Sequence, residues 1–317
     1  MDVVLGMDFG GTKIALAVCD LAGRCLAQQV LATNPDAGGD AVLERGICAG
    51  RALLALSGEG QDLVAVGVST IGVPRDDRVE LAPAIPGWQH VSLARTVAAA
   101  FGAPVRVATD VKAAATAEAR WGSLAGSDPA IYLNLGTGLA AAILVGGRVL
   151  DGAHGASGEI GYNVVAAGDV ALAMDARPML EHTVSGMALA ARGSRALGRT
   201  VTAGQVFDAA PSTPELDAMV GTLVDELSTH LVNLVIAVDP ARVAVGGGMV
   251  RSWGRLQGPL ERALNTGVPF PPELVLASYP FDAPLVGALA MGAEAAGTTL
   301  GRGPVFPQDK PEARRSL

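Results

Sequence analysis

The spacing of apolar and polar residues changes several times along the chain, and each change predicts an element. Residues 3–7 are an apolar run that reads as a strand, and Asp8-Phe9-Gly10-Gly11-Thr12 breaks it as a turn. Residues 14–19 form a second apolar strand, and Leu21-Ala22-Gly23 turns the chain into a third at 24–32. From 38 to 57 apolar residues recur at helical spacing (Ala41, Val42, Ile47, Ala49, Leu53, Leu54, Leu56), so this stretch is a helix with one buried face. A strand at 63–69, a loop at 74–88 broken by Pro74, Pro83 and Pro86, a helix at 93–101, a strand at 105–108 and a helix at 113–121 follow.

The opening pattern then repeats. A strand at 130–135, the turn Gly136-Thr137-Gly138 and a strand at 140–145 form a second meander, which Gly146-Gly147 turns into 148–150. Residues 151–181 are irregular and Gly-rich. Helices at 185–196 and 221–237, a strand at 242–245 ending in Gly246-Gly247-Gly248, a strand at 274–277 and a closing helix at 284–296 complete the order. The pattern predicts an α/β protein of two related halves facing each other across a central cleft, where ligands commonly bind. The expected division is a smaller domain at 1–112, joined by the closing helix at about 284–297, a larger one at 113–283, and a polar, mobile tail at 301–317.

Composition narrows this picture. Half of the 317 residues are hydrophobic and 17% are charged, which excludes a disordered chain and allows about two domains of roughly 100–200 residues. Mean hydropathy is +0.38, yet no uncharged apolar run of about 18 residues reads as a membrane span. The N-terminus has no basic stretch of the signal-peptide kind, so a cytoplasmic protein with no membrane partner is expected. The net charge of −8 and the absence of a basic patch argue against a nucleic-acid partner. The three cysteines, Cys19, Cys25 and Cys48, match no zinc spacing and read as reduced thiols.

Three glycine turns carry the candidate chemistry. In Gly10-Gly11-Thr12-Lys13 the glycines let backbone N–H groups close on a phosphate, Thr12 adds a hydroxyl and Lys13 a cation. Asp8 could hold Mg²⁺ through water, because that ion prefers oxygen ligands and keeps several waters. Gly136-Thr137-Gly138 repeats the chemistry, and Gly246-Gly247-Gly248 offers bare backbone to the flat base of a nucleotide. Each turn alone reads equally as an ordinary hairpin; three after apolar strands in a duplicated chain favour a nucleotide site. Asp110 admits two readings, a general base for a substrate hydroxyl or a helix N-cap. Glu159, set among glycines, is either an acceptor for sugar hydroxyls or a solvent-facing loop residue.

Taken in order, Asp8-x-Gly10-Gly11-Thr12-Lys13, Ala82-Pro83-Ala84-Ile85-Pro86-Gly87-Trp88, Asp110, Gly136-Thr137-Gly138, Gly158-Glu159-Ile160-Gly161 and Gly246-Gly247-Gly248 resemble the ROK family. That family comprises bacterial sugar kinases and related sugar-responsive repressors. The resemblance runs from about residue 3 to 297. It implies the duplicated actin-like ATPase (ribonuclease H-like) fold, ATP and Mg²⁺ as cofactors, a small-molecule sugar or sugar-like substrate and a homodimer. It places the family's catalytic Asp on Asp110 and its sugar-binding carboxylates on Glu159 and Glu181, the latter in Met179-Leu180-Glu181.

The departures from the family pattern are specific. Thr109 stands where the family has Asn beside the base, Lys112 where it has Asn two residues later, and Ala84 where it has Asn in the Pro-Gly-Trp loop. Tyr162 replaces a His that ligates zinc and touches sugar. The three zinc cysteines fall on Leu172, Met174 and Met179. No structural zinc is therefore expected, and the loop should be held by apolar packing of Leu172, Met174 and Met179.

The leading expectation is an ATP-dependent kinase that phosphorylates a primary hydroxyl of a hexose or sugar-like substrate, with Thr109, Asp110, Glu159, Tyr162 and Glu181 around the acceptor. A C7-cyclitol, carbasugar or amino sugar is an alternative substrate, since four departures lie on the sugar side or its loop. A non-catalytic sugar sensor is the alternative of another class. A DNA-binding repressor is disfavoured because the chain opens on the first strand without a helix-turn-helix.

Overall fold

A computed structural model describes residues 1–304 and 306. Contacts divide the described chain into two compact units. The first contains Met1–Trp121, Asp151–Ala156 and the described residues from Asp282 on; the second contains Gly122–Leu150 and Ser157–Phe281.

In the first unit β1 (Asp2–Phe9), β2 (Lys13–Asp20) and β3 (Cys25–Ala32) form an antiparallel meander. Helix α1 (Gly39–Leu56) leads to β4 (Asp62–Thr70), and the short strands β5 (Val73–Pro74) and β6 (Val79–Glu80) make a small hairpin within the proline-broken loop. Helix α2 (Leu93–Phe101), β7 (Val105–Thr109) and α3 (Asp110–Trp121) follow. The second unit repeats the meander with β8 (Ala130–Leu135), β9 (Leu139–Val145) and β10 (Arg148–Val149). It continues with α4 (Gly186–Leu197), α5 (Ala203–Ala209), α6 (Pro214–Val238), β11 (Arg242–Gly246), α7 (Trp253–Gly267) and β12 (Glu273–Leu276). The last helix, α8 (Ala283–Ala295), belongs to the first unit.

The two sheets have the same strand order, β3-β2-β1-β4-β7 and β10-β9-β8-β11-β12. In each, the two added strands run parallel. The apolar run of β1 is buried on both faces, and alternate residues go to different partners. Val3, Leu5, Met7 and Phe9 join a core with α1, α2 and Trp88. Trp88 lies inside this core; its ring centre is 5.4 Å from that of Phe9, and its Nε1 donates to Thr70 Oγ1 at 3.0 Å. The opposite face is bare enough for α8 to approach backbone to backbone. A Cβ on Gly67 would stand 1.6 Å from Ala288 O, and one on Gly287 would stand 1.8 Å from Ala113 O. The second unit instead fills its core with large side chains, among them Leu223, Leu227 and Leu231 of α6 and Leu256, Leu260 and Leu264 of α7.

Several boundaries differ from expectation, for physical reasons. Helix α3 stays with the first unit because it packs on α8, so the unit runs to Trp121 rather than to residue 112. Helix α6 begins at Pro214, a favoured first helical residue, with Glu215 and Asp217 in its first turn to complement the helix dipole. Helices α5 and α7 were not expected; α7 contains Gly254, Gly258 and Pro259, which obscure its period. Helix α6 has the length and hydropathy to cross a bilayer, but Leu216, Val220, Leu223, Leu227, Leu231 and Val235 are buried within its own unit. The expected mobile tail is in part packed: Gly301 N donates to Leu21 O at 2.8 Å and Phe306 is buried. The rest of that segment, 305 and 307–317, lies outside the described residues.

Candidate functional site

The first unit places Asp8 at the C-terminal end of β1, beside the β1–β2 turn. Its carboxylate is buried and accepts from Ser69 Oγ of β4 at 2.5 Å. Burial pushes the Asp8 carboxyl up to about 6; the Ser69 hydrogen bond and the Lys13 charge lower it only in part. Gly10 N donates to Lys13 O at 2.9 Å and closes the turn, while Thr33 grips it through its Oγ1 to Gly10 O at 2.6 Å and its N to Thr12 O at 3.0 Å. Gly11 lies against Ala84, where an added Cβ would find ordinary contact at 3.5 Å. Lys13 is paired with Asp282 at 3.8 Å, next to the start of α8. The turn is therefore a rigid loop with one buried acid beside it.

Thr109 and Asp110 lie where β7 gives way to α3. Thr109 Oγ1 accepts from Lys112 N at 3.2 Å, so Thr109 is the residue that caps α3. Asp110 follows as the first helical residue, and its Oδ1 accepts from Val111 N at 2.8 Å. Thr109 is buried, and its hydroxyl is engaged with the helix.

The second unit gathers the other candidates around the β8–β9 turn. One oxygen of Glu181 accepts from Leu139 N at 2.8 Å. A Cβ on Gly138 would stand 2.4 Å from that same oxygen, so glycine at 138 is what lets the carboxylate close on the turn. Gly136 O and Thr137 O accept from Gly186 N and Met187 N, at 2.9 and 3.2 Å, which ties the turn to the start of α4. Tyr162 lies near both Glu159 and Glu181: burial first, then these two negative charges, hold its hydroxyl above the usual tyrosine range. The structure thus brings Gly136, Thr137, Gly138, Glu159, Tyr162 and Glu181 together. After β11, a Cβ on Gly246 would meet the Tyr132 hydroxyl at 2.2 Å. Gly247 has φ of +91°, which favours glycine, and its N donates to Pro280 O at 3.0 Å. Among the described residues, nothing beyond its own helical turn lies within 4 Å of a Cβ on Gly248.

One expectation fails. The loop between Tyr162 and Glu181 is not held by apolar packing, because Leu172 and Met174 are 46% and 52% exposed. Its base is closed by polar contacts instead: an antiparallel bridge between Val164 and Met179, Leu180 N donating to Asn163 O at 3.3 Å, and Arg177 Nη2 donating to Tyr162 O at 3.0 Å. Arg177 was the missed signal, the one cation in the sequence between Tyr162 and Glu181. Among the described residues no group of three or more His, Cys, Asp or Glu could hold a metal ion.

Sequence reasoning also passed over Ser69 and Asn134. Ser69 pairs with Asp8 across β4 and β1, whereas Asn134 pairs with Gly246 across β8 and β11. Asp8 further faces Ala15 across its hairpin, as Asn134 faces Ala140. Asn134 is therefore the positional counterpart of Asp8, which only the sheet register could reveal.

Comparison with known proteins gives a consistent result. The ROK family matches residues 4–295. The bifunctional enzyme NanE/NanK of Brucella melitensis is 28% identical over 307 residues, covering 92% of this chain and 54% of that protein. The chain spans about half the length of this and of other curated relatives that it matches. The crystal structure of a ROK hexokinase from Thermus thermophilus superposes with a TM-score of 0.75 at 31% identity, covering 92% of this chain and 97% of that one. A ROK family glucokinase from Streptomyces griseus, in complex with glucose and AMPPNP, gives 0.76 at 30% identity, covering 92% and 99%. With the doubled strand order, these matches establish the actin-like ATPase fold.

Proposed function

Because the chain belongs to the ROK family, we propose that it is an ATP-dependent kinase acting on a primary hydroxyl of a hexose or sugar-like substrate. The observation that carries this reading is the start of α3. Thr109 caps the helix through its hydroxyl, and Asp110 follows it at the end of the parallel strand β7, with one carboxylate oxygen accepting from Val111 N. Ligands of open α/β sheets sit at such strand ends.

In the proposed reaction Asp110 accepts the proton of the acceptor hydroxyl as that oxygen attacks the γ-phosphorus and the bond to ADP breaks. Gly10, Gly11, Thr12 and Lys13, together with Gly136, Thr137 and Gly138, would hold the phosphates through backbone N–H groups, hydroxyls and an ammonium. Gly246, Gly247 and Gly248 form the turn past which the nucleoside would lie, with open space beside Gly248. Asp8 suits an Mg²⁺ ion held through water: its carboxyl is raised to about 6 by burial, and a nearby cation would restore the charged form. When bound, Mg²⁺ neutralises charge on the phosphate oxygens. Glu159 and Glu181 accept acceptor hydroxyls, and Thr109 and Tyr162 shape the site. Thr109 offers one hydroxyl, already used by the helix, and Tyr162 brings a bulky phenol; both support an acceptor other than plain glucose.

The test is ADP release from Mg-ATP over hexoses, amino sugars, N-acetylhexosamines and cyclitols, with Asp110→Asn beside the wild type. Turnover on one class, falling about 10²–10⁴-fold in the variant, is the expected result. Sugar binding without turnover on any acceptor would replace the kinase with a sensor.

A further inference from the structure

Lys112 occupies a position where a lysine is costly. It lies in the first turn of α3, at the positive end of the helix dipole, and its side chain is only 4% exposed. Burying an ammonium is unfavourable unless oxygens replace its water. Three do. Lys112 Nζ donates to Gly155 O at 2.7 Å and to Asp151 O at 2.9 Å, and lies 3.4 Å from Asp151 Oδ1. An ammonium has three N–H groups, and this arrangement uses all of them.

All three oxygens belong to one short segment. Asp151–Ala156 is the stretch by which the chain, midway through the second unit, joins the first. Gly155 also lies against β5, where an added Cβ would stand 3.2 Å from Val73 Cγ1. The next residues, Ser157 and Gly158, lead directly into Glu159. Gly158 is fixed in turn: Ala141 N donates to its carbonyl at 2.8 Å. Glu159 thus follows a run held at one end by Lys112 and at the other by β9.

We propose that Lys112 is a positioning residue for the acceptor substrate. It pins residues 151–155, the segment that leads to Glu159, to the helix that carries Asp110. This rests on the reading of Glu159 as an acceptor-binding carboxylate. Neither Met nor Asn could replace it: Met has no donor, and the Asn side chain is too short to reach two carbonyl oxygens four residues apart.

The test compares Lys112→Met and Lys112→Arg with the wild type by hydrogen exchange and steady-state kinetics. In the Met variant, amides of 151–156 should exchange at least about tenfold faster, since the latch alone is lost. KM for the acceptor should rise about 5–10-fold, the scale of one lost charge-assisted contact, with kcat and the KM for ATP nearly unchanged. The Arg variant keeps donors on a long stem and should restore much of both. Unchanged exchange and acceptor KM in a folded Met variant overturn the proposal, as does a fall in kcat alone. Should that variant lack a cooperative thermal transition, Asp151→Ala removes one of the three oxygens, and unchanged exchange at 151–156 would then overturn it. Wild-type protein that turns over no acceptor would defeat the kinase reading separately; exchange and calorimetric sugar affinity would still decide the role of Lys112.

Discussion

The β1–β2 hairpin of the first unit and the β8–β9 hairpin of the second occupy the same place in sheets of identical strand order. At equivalent register the first carries Asp8 and the second Asn134; opposite them stand Ser69 and Gly246. The first hairpin therefore holds an ionisable acid, buried and hydrogen-bonded by a hydroxyl. The second holds a neutral amide, and its nearest carboxylate, Glu181, comes from a later segment and binds the turn through Leu139 N. A duplicated scaffold has been chemically divided. In the proposed reaction the first unit supplies the acids that act on metal and proton, and the second supplies backbone, glycine and acceptor contacts.

Making the first hairpin resemble the second is the strongest test of that division. Asp8→Asn should lower kcat/KM by about 100-fold or more, the scale of losing a group that stabilises transition-state charge. The same variant should be more stable at neutral pH. A carboxyl raised from 3.8 to about 6 on folding binds protons more tightly in the native state, so its contribution to stability falls as pH rises from about 4 to 6. Above pH 6 the buried charge costs up to about 3 kcal/mol. Urea midpoints of Asp8→Asn should exceed wild type at pH 8 and converge with it at pH 4. A wild-type activity level in the variant would end the assignment of Asp8 to the metal.

The faces opposite the cores differ as well. Gly67 of β4 pairs in register with Gly6 of β1, and Ala244 holds the corresponding place on β11. Alanine is tolerated in the second sheet, but in the first a Cβ would meet the carbonyl of Ala288, which is backbone and cannot rotate away. Gly67→Ala should cost about 3 kcal/mol, the upper range for overpacking, read as a lower urea midpoint. A neutral result would mean that α8 can shift on the sheet.

The duplication itself was legible in the sequence, because buried strands and glycine turns leave strong local signals: 3–7 and 130–135 are largely apolar and lead into glycine turns at Gly10-Gly11 and Gly136. The glycine turns at 10–11 and 136–138 were legible for the same reason. What was not legible depends on distance in the chain. Lys112 gave no local sign that it meets Asp151 and Gly155, 39 and 43 residues away. Leu172 and Met174 looked like a core because they are apolar, yet the loop is short of helical or strand period and leaves them exposed. That the Thr109 hydroxyl caps α3 depends on a bond that the β7–α3 junction creates. Helix α7 was hidden by Pro259, although its leucines at four-residue spacing carry the buried face.

Glu181 sharpens the comparison from the second unit. Glu181→Gln removes the charge but keeps an oxygen able to accept from Leu139 N, so the turn should survive. The expected outcome is a rise of about tenfold in acceptor KM, as a charge-assisted hydrogen bond to a hydroxyl becomes a neutral one, with the KM for ATP little changed. A change confined to ATP would assign Glu181 to the nucleotide turn rather than to the sugar.

The smallest effect comes from the reverse exchange, giving the second hairpin the acid of the first. Asn134 lies beside the bare backbone of Gly136 and Gly247, each with an added Cβ within about 3.2 Å of its side chain. A carboxylate there would face the turn proposed to hold phosphate, with no serine opposite it, because the register partner is Gly246. At about 8 Å and an effective dielectric between those of protein and water, one added charge repels a phosphate by roughly 1 kcal/mol. Asn134→Asp should therefore raise the KM for ATP about threefold to fivefold, leave acceptor KM unchanged, and lose most of this effect at high salt, where such repulsion is screened. An ATP KM that is unchanged at low salt would show that the second hairpin does not face the nucleotide charge, and the chemical division between the two sheets would then rest on Asp8 alone.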